Sequence, residues 1–201
     1  MFIRGTVALV VLVAAYWGWA LAGAAQLASA AARGDAAAVM ERVDLQALIR
    51  SLSSQVARAF LDQNPQLQTP PSPRRGVFLN ASAAEMLLRA LLTPDNIAAL
   101  LNHGRVSAPD GGQDAGKLWG LPSLGQAFHT HPLEVVTNSY LAGPLTFVVG
   151  LDSRDGRYRL HMNLSGVTWR LSGVDMPAPV AARVAGLIAH RIGGKIDAPR
   201  G

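Results

Sequence analysis

Cysteine is absent from this 201-residue chain, lysine occurs only at positions 117 and 195, and charged residues make up just 15% of it. Without cysteine there is no disulfide, no lipid-modified N-terminal cysteine, no thiol nucleophile and no thiolate-bound metal. The same absence fits either side of a membrane, so it does not assign a compartment. The formal charge of +5 reflects scarce acids as much as plentiful arginines. Abundant Ala and Arg with almost no Lys is what a GC-rich bacterial genome tends to write, so the basic balance is no argument for nucleic acid, and no such partner is expected. A chain of this length holds one core of ordinary size plus an anchor.

What is present begins with a long apolar run. Residues 5–32 carry no charge, and residues 7–15 are continuously apolar, which exceeds the ~18 residues that mark a membrane-spanning candidate. Arg4 flanks one side, whereas Arg33 and Asp35 nearly cancel on the other. That balance favours a cytoplasmic N-terminus, a single pass and a periplasmic domain. Tyr16, Trp17 and Trp19 fall where an aromatic belt meets the membrane interface. The alternative is a signal peptide with export of the cleaved chain to the periplasm, because Ala20-Leu21-Ala22 and Ala28-Ser29-Ala30 have the small-x-small form of a cleavage site. We expect a transmembrane anchor over residues 1–24, continuing as the first helix of a domain over 25–176.

Helix signals follow. Gly34 suits a helix C-terminus and Asp35 an N-cap, so a short helix runs to about Arg42. Asp44 caps a longer one whose Leu45, Leu48, Ile49, Leu52, Val56 and Phe60 recur at helical spacing. Pro65, Pro70, Pro71 and Pro73 make residues 63–76 a connector. Ser82 with Glu85 forms a capping box, and Thr93-Pro94 starts a helix that Gly104 closes. Residues 105–125, rich in Gly, read as loop. Strands are expected over 134–141, over 145–151, through Tyr158, Leu160, Met162 and Leu164, and over 167–172, with Asp155-Gly156 as a hairpin turn. Residues 177–201 supply a terminal helix, ended by Gly193-Gly194, and a tail. Helices first and then an antiparallel meander give an α+β fold.

Tyr16-Trp17, the Ala-rich helix, Arg33-Gly34-Asp35 and Val43-Asp44-Leu45-Gln46-Ala47-Leu48 together resemble an uncharacterised family of bacterial single-anchor proteins known only as a domain of unknown function. The Thr93-Pro94 start and the ending from Trp169-Arg170-Leu171 to Met176-Pro177 fit the same resemblance, whose motifs are structural and imply no chemistry. Arg-Gly-Asp between helices and the final Trp-Arg-Leu strand are also similar to nuclear-transport-factor-2-like domains. That likeness implies a curved antiparallel sheet folded with helices into a cone, although the connector and the terminal helix are not obligatory parts of one.

Several clusters invite functional readings. His129-Thr130-His131, if extended, puts two rings on one side, but a metal needs a third ligand and Glu134 is the nearest carboxylate. Ser123 lacks the spacing of a nucleophile elbow, and Asp152 to Gly156 has too few oxygens for a calcium loop. Neither a metal nor another cofactor is expected. Arg157, Arg159 and His161 share a strand face with Arg170 nearby, a set suited to anionic lipid headgroups or to an ordinary solvated surface. Tyr158, Leu160, Met162 and Trp169 would line a cone interior, and Trp119 reads as a ring folded back on the core. The expectation is a membrane-tethered envelope domain that binds a lipid or protein partner without catalysis. The alternatives are a carrier of a small apolar ligand in the cone and a small enzyme using a cone-mouth acid and base.

Overall fold

A computed structural model describes residues 2–63, 81–104 and 119–196. Most of the proline-rich connector and of the Gly-rich segment lies outside them. The chain runs α1 (Phe2–Ala32), α2 (Ala36–Glu41), α3 (Leu45–Gln63), α4 (Ala81–Leu91), α5 (Pro94–His103), α6 (Leu124–Thr130), α7 (Pro132–Thr137), β1 (Ser139–Gly143), β2 (Thr146–Ser153), β3 (Gly156–Ser165), β4 (Thr168–Asp175) and α8 (Ala178–Ile196). The four strands form one antiparallel sheet in sequence order, so the architecture is α+β as the element order implies.

α1 is one uninterrupted helix with two environments. Residues 5–15 are exposed throughout, while Ala20, Ala24, Leu27, Ala28, Ala30 and Ala31 are buried among the other elements. Small side chains make this possible, since they let neighbouring backbones approach closely. A Cβ added to Gly125 of α6 would lie 2.9 Å from the Cβ of Ala32, and one added to Gly23 would lie 2.8 Å from the Cβ of Trp169. The span Gly5–Ala32 is long and apolar enough to cross a membrane, consistent with a single-pass anchor.

Local chemistry ends α1 and begins the next helices. Gly34 adopts φ +68; its N–H donates to the Ala31 carbonyl, and that of Asp35 to Ala30. This left-handed stop needs a residue without a Cβ penalty. Asp35 and Asp44 each accept from the backbone N–H three residues on, at 3.0 Å, and Thr93 accepts from Asn96 N–H at 3.3 Å. These are the caps that the sequence predicts. The Ser82 capping box involves a side chain outside the described residues.

α3 packs along β4, and Gln55 ties the two together. Its Nε2 donates to the Val174 carbonyl at 2.7 Å and its Oε1 accepts from Met176 N–H at 2.8 Å. The free edge of β4 is also covered, because Asp44 N–H donates to Leu171 O and Leu171 N–H to Arg42 O, an isolated parallel bridge beside the sheet. The edge is thereby occupied at Leu171, which obstructs pairing with another chain there.

Three expectations are corrected. The residues before β1 are helical rather than extended: Pro132 occupies the first turn of α7, Thr137 Oγ1 back-bonds to Leu133 O at 2.9 Å, and β1 starts only at Ser139. Residues 124 and 125, expected in a loop, begin α6, because Ser123 accepts from Gln126 N–H and acts as N-cap. α8 continues past Gly193-Gly194 to Ile196, glycine weakening a helix by about 1 kcal/mol without obliging it to stop.

Candidate functional site

The middle of α1, from Tyr16 to Trp19, meets the sheet at one end. Antiparallel register places the β1–β2 turn and the β3–β4 turn together there, Thr146 facing Asn163 and Trp169 facing Leu164. Tyr16 and Trp19 of α1 stand edge-on to Trp169, with ring centroids 5.8 and 6.0 Å apart, and Trp17 stands edge-on to Phe147 at 6.2 Å. Edge-to-face geometry of this kind adds to the stabilisation from buried area. The Tyr16 hydroxyl donates to the carbonyl of Pro144 in the β1–β2 turn. Phe147 and Trp169 are fully buried, whereas Trp19 is partly open. The three aromatic residues noticed near the apolar run therefore form, with Phe147 and Trp169, the joint between α1 and the sheet. The pairing joins residues some 150 positions apart, so no local pattern signals it.

The opposite end of the sheet is polar. Asp152 is held by Arg157 through two bonds, 2.7 and 3.1 Å, and Asp155 by Arg183 at 2.6 Å. The Arg157 guanidinium, aided by Asn138, keeps the Asp152 carboxyl below its ordinary range despite an opposing desolvation. Arg157 is thus neutralised by a local partner. His161 reaches Asp175 at 2.8 Å. Arg159 and Arg170 are exposed and make no ion pair among the described residues. Arg170 faces Asn163, so it shares the outward face with the other three. About six strand residues separate its level from Arg157, roughly 20 Å, more than twice the ~8 Å Debye length. The structure brings the four basic side chains to one face without making them one patch.

Tyr158, Leu160, Met162 and Trp169 turn inward and are each about 1% exposed. All four belong to one apolar core, and the gap that Tyr158 shares with Leu48, Leu52, Ile97, Leu101 and Trp119 amounts to ≈ 20 Å³, room for a single water at most. Trp119 is buried, and its carbonyl accepts from the Tyr158 hydroxyl. Burial, reinforced by the Asp155 carboxylate, pushes the Tyr158 phenol up to about 12. The Tyr158 hydroxyl is a structural donor.

A surface concavity of ≈ 250 Å³ lies where α6 and α7 meet β2, lined by residues that include Gln126, Thr130, His131, Glu134, Asn138 and Asp152. Sequence reading missed it as a site because three separate elements make it. His129 and His131 do not form an extended pair. His129 is in α6, and His131 sits at the junction of α6 and α7, with its Nδ1 3.8 Å from Glu134 Oε1. Among the described residues no three His, Asp or Glu side chains gather as metal ligands would. Ser123 is occupied in capping α6.

No curated protein and no solved structure matches the chain, so the likeness to a nuclear-transport-factor-2-like cone rests on its sequence motifs. Residues 9–100, from the apolar half of α1 into α5, match the model of a family described as protein of unknown function (DUF2939), so that stretch of the chain is similar to a domain of unknown function.

Proposed function

We propose that this chain is a single-pass membrane protein whose domain works by surface recognition, presented at a fixed height and angle above the bilayer. The observation that carries the reading is the continuity of α1. Its apolar outer half leads without a break into residues that the core cannot spare. A tether with no flexible joint restricts the domain to one thin layer of space, which raises its effective concentration toward neighbours in that layer. The filled interior favours surface binding over carriage of an apolar ligand, which needs a cavity of some hundreds of Å³. Arg4 at the start of the run, against the cancelling Arg33 and Asp35, favours a cytoplasmic N-terminus, hence a periplasmic domain in a bacterial inner membrane.

The α6–α7 concavity, open and of mixed polar and apolar lining, suits an envelope protein as partner. Photo-crosslinking amino acids at Gln126 and Leu133, in native membranes, are expected to give one discrete protein adduct, while the same group at the exposed Glu41, beside the β4 edge across the sheet, gives none. Absence of an adduct from both positions, together with saturable uptake of a fluorescent fatty acid by the purified protein, would replace this reading with the carrier.

A further inference from the structure

We infer that the β1–β2 and β3–β4 hairpin tips, Pro144-Leu145 and Gly166-Val167, dip into the lipid interface beside α1, so that the domain rests on the bilayer. The inference rests on reading α1 as a membrane span.

Four observations carry it. Leu145 and Val167 extend the inward-facing apolar columns of β2 (Phe147, Val149, Leu151) and β4 (Trp169, Leu171) one step beyond the core. The strand alternation alone would bury both. Instead they lie in the turns, 56% and 81% exposed. They flank the ring cluster through which α1 leaves the domain, with Tyr16 bonded to Pro144 itself.

Charge is distributed unevenly along the sheet. Residues 139–147 and 163–169 contain no charged side chain, whereas Asp152, Arg154, Asp155 and Arg157 crowd the other end. Of the four basic residues on the outer face, Arg170 alone lies next to the uncharged end, at the height where headgroups would begin.

The length of α1 then requires close approach. From Arg4 to Tyr16 a helix rises only ~18 Å, against ~30 Å of hydrocarbon in an ordinary bilayer. Beyond Tyr16 the helix is progressively walled in by the sheet, and Ala20 is fully buried. A bilayer can enclose even that much of α1 only by meeting the sheet's end, and entry of the tips together with local thinning, at fractions of a kcal/mol per Å, makes up the remaining ~12 Å. Finally, the tip backbone is prepared for an apolar setting: the Pro144 carbonyl accepts from Tyr16 and the Leu145 carbonyl from Leu164 N–H at 2.9 Å, which limits the penalty of taking peptide groups out of water.

The cysteine-free sequence allows one fluorophore at a time through Val10→Cys, Leu145→Cys, Val167→Cys or Arg154→Cys in the full chain, reconstituted in vesicles of phosphatidylcholine with phosphatidylglycerol. Nitroxide lipids labelled at the headgroup or mid-chain then report depth. We expect loss of emission at Val10 with mid-chain nitroxide, loss at Leu145 and Val167 chiefly with headgroup nitroxide, and none at Arg154. Quenching at Val10 without quenching at either tip would overturn the inference and leave the anchor reading intact. No quenching at Val10 would overturn the anchor reading itself. Tips shielded from aqueous iodide yet untouched by lipid nitroxide would assign the surface to a second copy of this chain, against our proposal.

Discussion

A chain starting at residue 34 is expected to show no cooperative unfolding transition, whereas one starting at Tyr16 melts within about 2 °C of the full-length protein in the same detergent. The longer deletion removes Leu27 and a row of buried alanines. At ~0.8 kcal/mol per buried methyl or methylene, that row alone is worth several kcal/mol before the partner surfaces it uncovers on α5, α6 and β4 are counted. Domains of this size are stable by only ~5–15 kcal/mol. The shorter deletion takes away residues 5–15, which are exposed throughout the described structure, and spares Tyr16 and Trp17. Melting followed by far-ultraviolet circular dichroism separates the two outcomes, and equal transitions would mean that α1 is dispensable to the fold.

The second large effect is expected at Trp169. Replacing it by Ala empties the centre of the ring cluster and removes a side chain that Tyr16, Trp19 and Phe147 all face, for a loss of ~3–5 kcal/mol. Trp169→Phe should cost distinctly less. The indole N–H is buried without a hydrogen-bond partner among the described residues, so the smaller ring gives up area while also removing an unsatisfied donor. Denaturant titrations of the two variants test this ordering, and Phe as harmful as Ala would show that ring size, not the orphan donor, governs the site. Gly23 belongs to the same argument, since its missing Cβ is what lets Trp169 lie against α1.

How much of this was legible in the sequence depends on how local the determinant is. Asp35, Asp44 and Thr93-Pro94 cap their helices through atoms three residues away, and all were readable. Strict alternation through Tyr158, Leu160 and Met162 marked β3 and its buried face correctly. The short helices α6 and α7 were missed because six or seven residues carry too little periodicity. Contacts from elsewhere hold them: Gly125 lies against Ala32, and Ser139 donates to Val135 O across the junction with β1. Alternation places Val167 in the last strand, although Gly166, at φ +62, turns the chain there and leaves Val167 in the turn and exposed.

The candidate site divides along the same line. The aromatic residues Tyr16, Trp17 and Trp19 stood out beside an apolar run, but their contacts with Phe147 and Trp169 depend on tertiary packing that no local pattern encodes. The basic face was visible as a period of two in β3. Its pairing to Asp152 and Asp175 was not, because it depends on register with β2 and on the irregularity in β3–β4 pairing between His161 and Met162. The concavity between α6, α7 and β2 could not be read at all before those two helices were recognised.

The central claim is that α1 is at once the apolar span and a core element, with no hinge between. Hydrogen exchange of the full chain in lipid nanodiscs, read residue by residue, tests it most directly. Amides of residues 24–31 should exchange together with those of β3, at the rate of global unfolding. Exchange in that stretch orders of magnitude faster than in β3 would make α1 a separable tether and contradict the account.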